Sequence, residues 1–189
     1  MERIPVSMTR GNLDNIPEYP LPAGYKFRFF KRGEELVWAQ MQVDVGAFES
    51  IEKAMERYNS EFAPHIDEFE KRCIFLVEES TGRVIGTTTA WYHPDRDDDR
   101  GRIHWVAIIP GFQGRKLAKP LLAEAMRVLR AYHHERVHLW SMTSAAKAIR
   151  MYLDFGFVPA NVSERFEEAW AMLAEVIDHP ALEAFREKS

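Results

Sequence analysis

Residues 105–122 read Trp-Val-Ala-Ile-Ile-Pro-Gly-Phe-Gln-Gly-Arg-Lys-Leu-Ala-Lys-Pro-Leu-Leu: a β-branched run stopped by Pro110-Gly111, then a short basic turn that leads straight into a helical pattern. The first turn of a helix carries up to four backbone amides without intrahelical partners and the positive end of the peptide dipole, which together suit a phosphate or pyrophosphate. Arg115, Lys116 and Lys119 add positive charge there. An ordinary strand-to-helix connection with solvated basic side chains has the same composition, so this segment alone leaves both readings open.

Two other clusters have chemical types at suggestive spacing. His134-Glu135-Arg136-Val137-His138 satisfies H-E-x-x-H, in which two histidines one helical turn apart bind zinc and the glutamate activates water, the arrangement of a zinc metalloprotease. The pattern needs a continuous helix, whereas helical periodicity fades at Tyr132 and Val137-His138-Leu139-Trp140 is strand-like, sending successive side chains to opposite faces. A helix-to-strand junction is therefore expected. Tyr92, His93, Asp95, Asp97, Asp98 and Asp99 would attract a cationic amine, although charge runs of this kind are commonly solvated loops.

A later segment, Ala148-Ile149-Arg150-Met151-Tyr152-Leu153-Asp154-Phe155-Gly156-Phe157, changes the weighting. Together the two segments resemble the GCN5-related N-acetyltransferase (GNAT) family. Its acetyl-CoA signature is Gln/Arg-x-x-Gly-x-Gly/Ala after a strand ending near proline, and its later Ala-Ile-x-x-Tyr-x-x-x-Gly-Phe segment lies on the helix after the next strand. In Gln113-Gly114-Arg115-Lys116-Leu117-Ala118 the first and last positions match, and Lys116 stands where the family usually has glycine. Glycine there lets the backbone approach a pyrophosphate without a β-carbon in the way. The donors of such a turn are backbone amides, which survive a side-chain change, and the lysine ammonium can itself assist a CoA phosphate.

The resemblance implies an N-acetyltransferase that moves an acetyl group from acetyl-CoA directly to an amine of a small molecule or peptide, with no metal. It implies that Val106, Ala107 and Ile108 pair with the pantetheine arm, and that Gln113, Gly114, Arg115, Lys116, Leu117, Ala118 and Lys119 hold the pyrophosphate. Tyr152 falls on the family's tyrosine, which donates a proton to the departing thiolate; an unperturbed phenol, at about 10, stays protonated at neutral pH. The family's frequent asparagine is replaced by Ala145, for which Thr143 or Ser144 would supply the hydrogen bond. Transfer also needs a deprotonated amine. Strand alternation places Arg102, His104, Val106 and Ile108 on one face, which makes His104, with an unperturbed pKa near ~6.5, the candidate base. The alternative that Lys116 favours is a GNAT-fold module that binds acyl-CoA without turnover, or that has lost the cofactor.

The elements that must position these groups follow from periodicity. Residues 1–24 hold Pro5, Pro17, Pro20 and Pro22 and are expected to form an extended arm. Residues 25–189 would form a single GNAT-like domain, with a helical C-terminal extension over 163–189. Within it, strands are expected at 25–30, 73–78, 84–92, 102–109 and 137–142. Helices are expected between Glu34 and Arg72, divided at Pro64, and over 117–132, 145–154 and 163–177. The charged run 94–101 is expected to be a loop. The order predicts an α/β (α+β) fold: a mixed, mostly antiparallel sheet flanked by helices.

Composition narrows the function classes. The 25 basic and 29 acidic residues give a net charge of −4, which offers no basic excess for a nucleic-acid backbone. Cys73 is the one cysteine, so an internal disulfide and a multi-cysteine metal site are excluded, and a reducing, cytoplasmic setting is expected. No apolar run approaches the roughly 20 residues that span a bilayer, so no membrane partner is expected. The oligomeric state is left open, a homodimer included.

Overall fold

The structure, a computed structural model, describes residues 2–92 and 100–186. In chain order these form β1 (Pro5–Arg10), β2 (Tyr25–Phe29), α1 (Glu35–Asp44), α2 (Ile51–Glu61), α3 (Ile66–Arg72), β3 (Cys73–Glu78), β4 (Val84–Trp91) and β5 (Gly101–Ile108). They continue with α4 (Ala118–Ala131), β6 (Val137–Met142), α5 (Ala146–Asp154), β7 (Val158–Ala160), α6 (Phe166–Val176) and the short α7 (Glu183–Arg186). Local chemistry sets several boundaries. The Ser50 hydroxyl accepts from the Lys53 amide and caps α2. Pro64 sits in a 3₁₀ turn, Ala63–His65, that separates α2 from α3. Gly156 (φ +79°) ends α5 in the left-handed conformation, with the Phe157 amide donating back to the Tyr152 carbonyl.

The strands form one mixed sheet in the order β2-β3-β4-β5-β6-β1-β7, antiparallel throughout except at β5–β6. β3 and β4 are buried along almost their whole length, as strands covered on both faces must be. Alternation along β5 shows what covers them: Arg102 and His104 turn toward Glu61 of α2, whereas Gly101 faces Leu129 of α4. On the α2 side the core is aromatic, with Phe30, Trp38, Tyr58, Phe62, Phe69 and Trp91 in edge and tilted contact.

Within the extended arm expected over residues 1–24, Pro5–Arg10 forms β1 and fills the slot between β6 and β7. Pro5 is tolerated because it is the first residue of the strand. Val6 and Met8 are buried, and the Arg10 guanidinium donates to the Phe155 carbonyl at 2.7 Å. β7 was not anticipated; three residues carry too short a pattern to show alternation. The charged run holding His93, Asp95, Asp97, Asp98 and Asp99 lies outside the described residues.

The zinc pattern does not form. α4 ends at Ala131, His134 to Arg136 lie in the link, and His138 belongs to β6, so the histidines are not one helical turn apart. His134 Nε2 instead lies 3.1 Å from Arg72 Nη1. Among the described residues no group of three or more His, Cys, Asp or Glu is placed to hold a metal, and no helix is long and apolar enough to cross a membrane.

Candidate active site

Two features of β5 open a cleft in the sheet. Its parallel pairing with β6 covers only Gly101 opposite Val137 and Arg102 opposite His138; beyond that the strands part. At the same place β5 bulges: Thr89 pairs with His104 and Thr87 with Ala107, so Trp105 and Val106 together oppose Thr88. Trp105 takes φ +51°, a conformation that costs a side-chain-bearing residue about 1–3 kcal/mol unless its surroundings hold it. The bulge also corrects the expectation that Arg102, His104, Val106 and Ile108 share a face. After the extra residue, Ala107 returns to the face of His104, while Val106 and Ile108 turn to the other.

Two cavities occupy the parting. The larger, about 700 Å³, is walled by Val106 and Ile108, by Gln113, Gly114, Lys116, Leu117, Ala118 and Lys119 of the turn and α4, and by Lys147, Ala148, Met151 and Tyr152 of α5. The second, about 490 Å³, lies between α2 and β6 and is walled by Arg57, Glu61, Arg102, His104, Trp105 and Trp140 among others. Val106, Ala148 and Tyr152 belong to both walls, so the cavities meet there.

The turn at the mouth of the larger cavity has the geometry of an anion cradle. Gly114 (φ +78°) and Lys116 (φ +62°) are both left-handed. Among the described residues, the backbone amides of 114–119 meet no acceptor. The left-handed backbone at Lys116 explains what a glycine would contribute at this position. An L-residue pays roughly 1–2 kcal/mol there, part of which glycine would return as extra freedom in the unfolded chain. Lys116→Gly is therefore expected to stabilise the protein by about 0.5 kcal/mol. The urea midpoint should rise; a lower midpoint would show that the lysine side chain makes a compensating contact.

The basic side chains divide differently from expectation. Arg115 is folded back over the Phe112 ring (4.5 Å) and donates to the Tyr25 hydroxyl and the Gly111 carbonyl. Lys119 is paired with Asp154 at 3.2 Å. Lys116 and Lys147 line the cavity and make no ion pair among the described residues. Lys147 was missed, although it precedes Met151 by four residues, the spacing that puts the two on one helical face. Gln113 uses its carboxamide to donate to the Ile108 carbonyl.

Thr143 and Ser144 take no part in either wall. Thr143 is fully buried and ties down the start of β1, accepting from the Ile4 amide and donating to the Glu2 carbonyl, while Ser144 is exposed. The expected substitute hydrogen bond from Thr143 is therefore spent on the fold. Tyr152, 7% exposed, lies where the cavities meet, and burial pushes its phenol up to about 12.

The group that sequence reasoning missed is Glu61, at the end of α2. Its carboxylate lies 2.6 Å from His104 Nε2, 3.2 Å from Trp105 Nε1 and 3.3 Å from Arg102 Nη1. One side chain thus binds three residues of the bulged strand and holds the left-handed Trp105 in place. Burial pushes the Glu61 carboxyl up, but the donors from His104 and Trp105 and the Arg102 charge bring it below the usual range. His104 is not the near-neutral base expected: burial, helped by the charges of Arg102 and Arg57, depresses it to about 4 against the pull of Glu61. At neutral pH the pair is an uncharged imidazole donating from Nε2 to a carboxylate.

This depression has a stability consequence. An unfolded imidazole titrates near ~6.5, so between that value and about 4 the unfolded chain binds a proton that the folded chain refuses. The contribution is fully present above the unfolded value and is lost as pH falls toward 4, by about 3 kcal/mol in all. His104→Gln is expected to flatten the fall of the urea midpoint between pH 6.5 and 4.5. An unaltered slope would show that other groups govern acid unfolding.

The Acetyltransferase (GNAT) family profile matches residues 34–157. Similar curated proteins include the mycothiol acetyltransferases of Beutenbergia cavernae, 28% identical over 149 residues (78% of this chain, 50% of that protein), and of Sanguibacter keddieii, 27% identical over 164 residues (84% and 51%). The chain spans about half the length of these relatives. Among solved structures, a GCN5-related N-acetyltransferase from Sphaerobacter thermophilus shares the fold at a TM-score of 0.67 and 24% identity, over 84% of this chain and 49% of its own. A tandem GNAT protein from the clavulanic acid biosynthesis pathway does so at 0.60 and 16%, over 82% and 50%. A profile match across most of the sheet and through both motifs, on a mixed sheet parted in this way, makes the chain a member of the GNAT acetyltransferase family.

Proposed function

We propose that the chain is an N-acetyltransferase that binds acetyl-CoA in the larger cavity and transfers the acetyl group directly to an amine held in the smaller one. The observation that carries this reading is the meeting of the two cavities at Val106, Ala148 and Tyr152. A thioester arriving from one side and an amine from the other would be held together, which is where most of the rate enhancement of such a reaction comes from.

The cavity walls suit the cofactor. The unpaired amides of 114–119 and the ammonium groups of Lys116 and Lys147 face its phosphates, and the unpaired stretch of β5 beyond Arg102 offers backbone groups to its pantetheine amides. Bound there, acetyl-CoA supplies an activated acetyl group. The amine nitrogen forms a bond to the acetyl carbon as the carbon–sulfur bond breaks, and the Tyr152 hydroxyl donates its proton to the departing sulfur. His104, uncharged above about pH 4, offers Nδ1 as an acceptor that orients the amine while Nε2 donates to Glu61; the amine's proton leaves to solvent, from which the Tyr152 phenolate recovers its own. His104→Gln should therefore raise KM for the amine more than it lowers kcat.

The reading is tested by calorimetric titration with acetyl-CoA followed by a panel of amines while free thiol is monitored. Binding with thiol release on amine addition is expected. Binding with no release across the panel would support the alternative of a non-catalytic acyl-CoA-binding module. The acceptor is left at the level of an amine, since this chain covers only about half of the mycothiol acetyltransferases it resembles.

A further inference from the structure

Building on the acetyl-transfer reading, we infer that the acceptor amine also carries an anionic group, a carboxylate or a phosphate, which Arg57 and Arg102 bind in the cavity between α2 and β6. The walls of that cavity contain two guanidinium groups and one carboxylate. The carboxylate is already committed, because Glu61 serves His104, Trp105 and Arg102 at once. The donors are not. Arg57 lies one turn before Glu61 on α2 yet makes no ion pair among the described residues. Arg102 has a single contact with Glu61, at 3.3 Å, and its Nε is buried without a partner.

A third donor is in the same condition. Gln42 is 1% exposed, lines the cavity, and its Nε2 has no hydrogen-bond partner. Buried donors without acceptors cost free energy unless a ligand or water supplies the acceptor. A second cationic group on the acceptor would meet two guanidinium groups and no free carboxylate. An anion would satisfy all three donors and balance the excess positive charge, and planar guanidinium forks match carboxylate and phosphate oxygens well.

The test reads binding without turnover, so that it stands apart from the catalytic proposal. The full chain loaded with CoA is titrated with product-like pairs: N-acetylglycine against N-acetylglycinamide, and N-acetylglucosamine 6-phosphate against N-acetylglucosamine. At least one anionic member is expected to bind tenfold or more tightly than its neutral twin, and which pair discriminates separates carboxylate from phosphate. Arg57→Gln should bring the ratio toward one, and Arg57→Lys should restore part of it. Arg57 is exposed, so neither change threatens folding. Equal or absent binding of both pairs overturns the inference. A clear preference in a chain that acetylates no amine would keep the anion site and remove the transferase reading instead.

Discussion

Replacing Tyr152 with phenylalanine is expected to lower kcat for acetyl transfer by about 10²-fold or more, the range for losing a positioned general acid. The ring would stay: Tyr152 is almost fully buried and packs edge-on to Phe157 at 6.1 Å, and no hydrogen bond of its hydroxyl contributes to the fold among the described residues. Affinity for acetyl-CoA and thermal stability should therefore change little while turnover collapses, a split that a purely structural tyrosine would not give. Because the phenol is held up to about 12, the wild-type rate should show no loss from Tyr152 ionisation through pH 9. Thiol release measured at saturating substrates checks both points. A kcat within twofold of wild type would take Tyr152 out of the mechanism.

Glu61→Ala is expected to be the most destabilising single change at the site. It removes the one carboxylate beside the largely buried Arg102 and releases His104 and Trp105 together. Deleting one partner of a buried charge pair costs roughly 3–5 kcal/mol, and in a chain of this size each kcal/mol lowers Tm by about 2–4 °C. A fall of about 10 °C is thus expected. Glu61→Gln, which keeps acceptor oxygen and shape, should lose about half as much. With the anchor of Trp105 gone, the bulge is free to relax into regular pairing and narrow the cleft, so activity should fall further than stability alone explains. An alanine variant melting within a degree of wild type would show that the bulge is held by its aromatic neighbours, Trp38 and Phe48, rather than by the carboxylate.

Much of this architecture is legible in the sequence because it is written in local patterns. The hairpin of β3 and β4, the division of the helices at Pro64, the turn before α4 and the Tyr152 helix all show as periodicity or as motifs. What escapes is what depends on distant partners. β1 begins with a proline and is followed by more, and only the slot between β6 and β7, supplied some 130 residues later, makes a strand of it. Glu61 is one of 29 acidic residues and looks like any solvated helix end until the bulge at Trp105 brings three donors to it. The bulge has no sequence signature, since tryptophan is a poor candidate for positive φ, and without it the face assignment along β5 comes out wrong. The same distance separates Thr143 from its role: its neighbour in sequence is α5, but its hydroxyl binds the backbone of Glu2 and Ile4.

The placement of β1 carries a consequence for biosynthesis. β1 pairs only with strands that lie about 130–150 residues further along the chain, so it must wait unpaired while they are made, roughly 7–30 s at ordinary elongation rates. During that interval Val6 and Met8 are sticky and β6, once made, has a bare flank. Newly made chains should therefore be vulnerable to mispairing until the segment carrying β7 emerges, and slowing translation there would lower the yield of properly assembled protein without altering a single contact in the finished one.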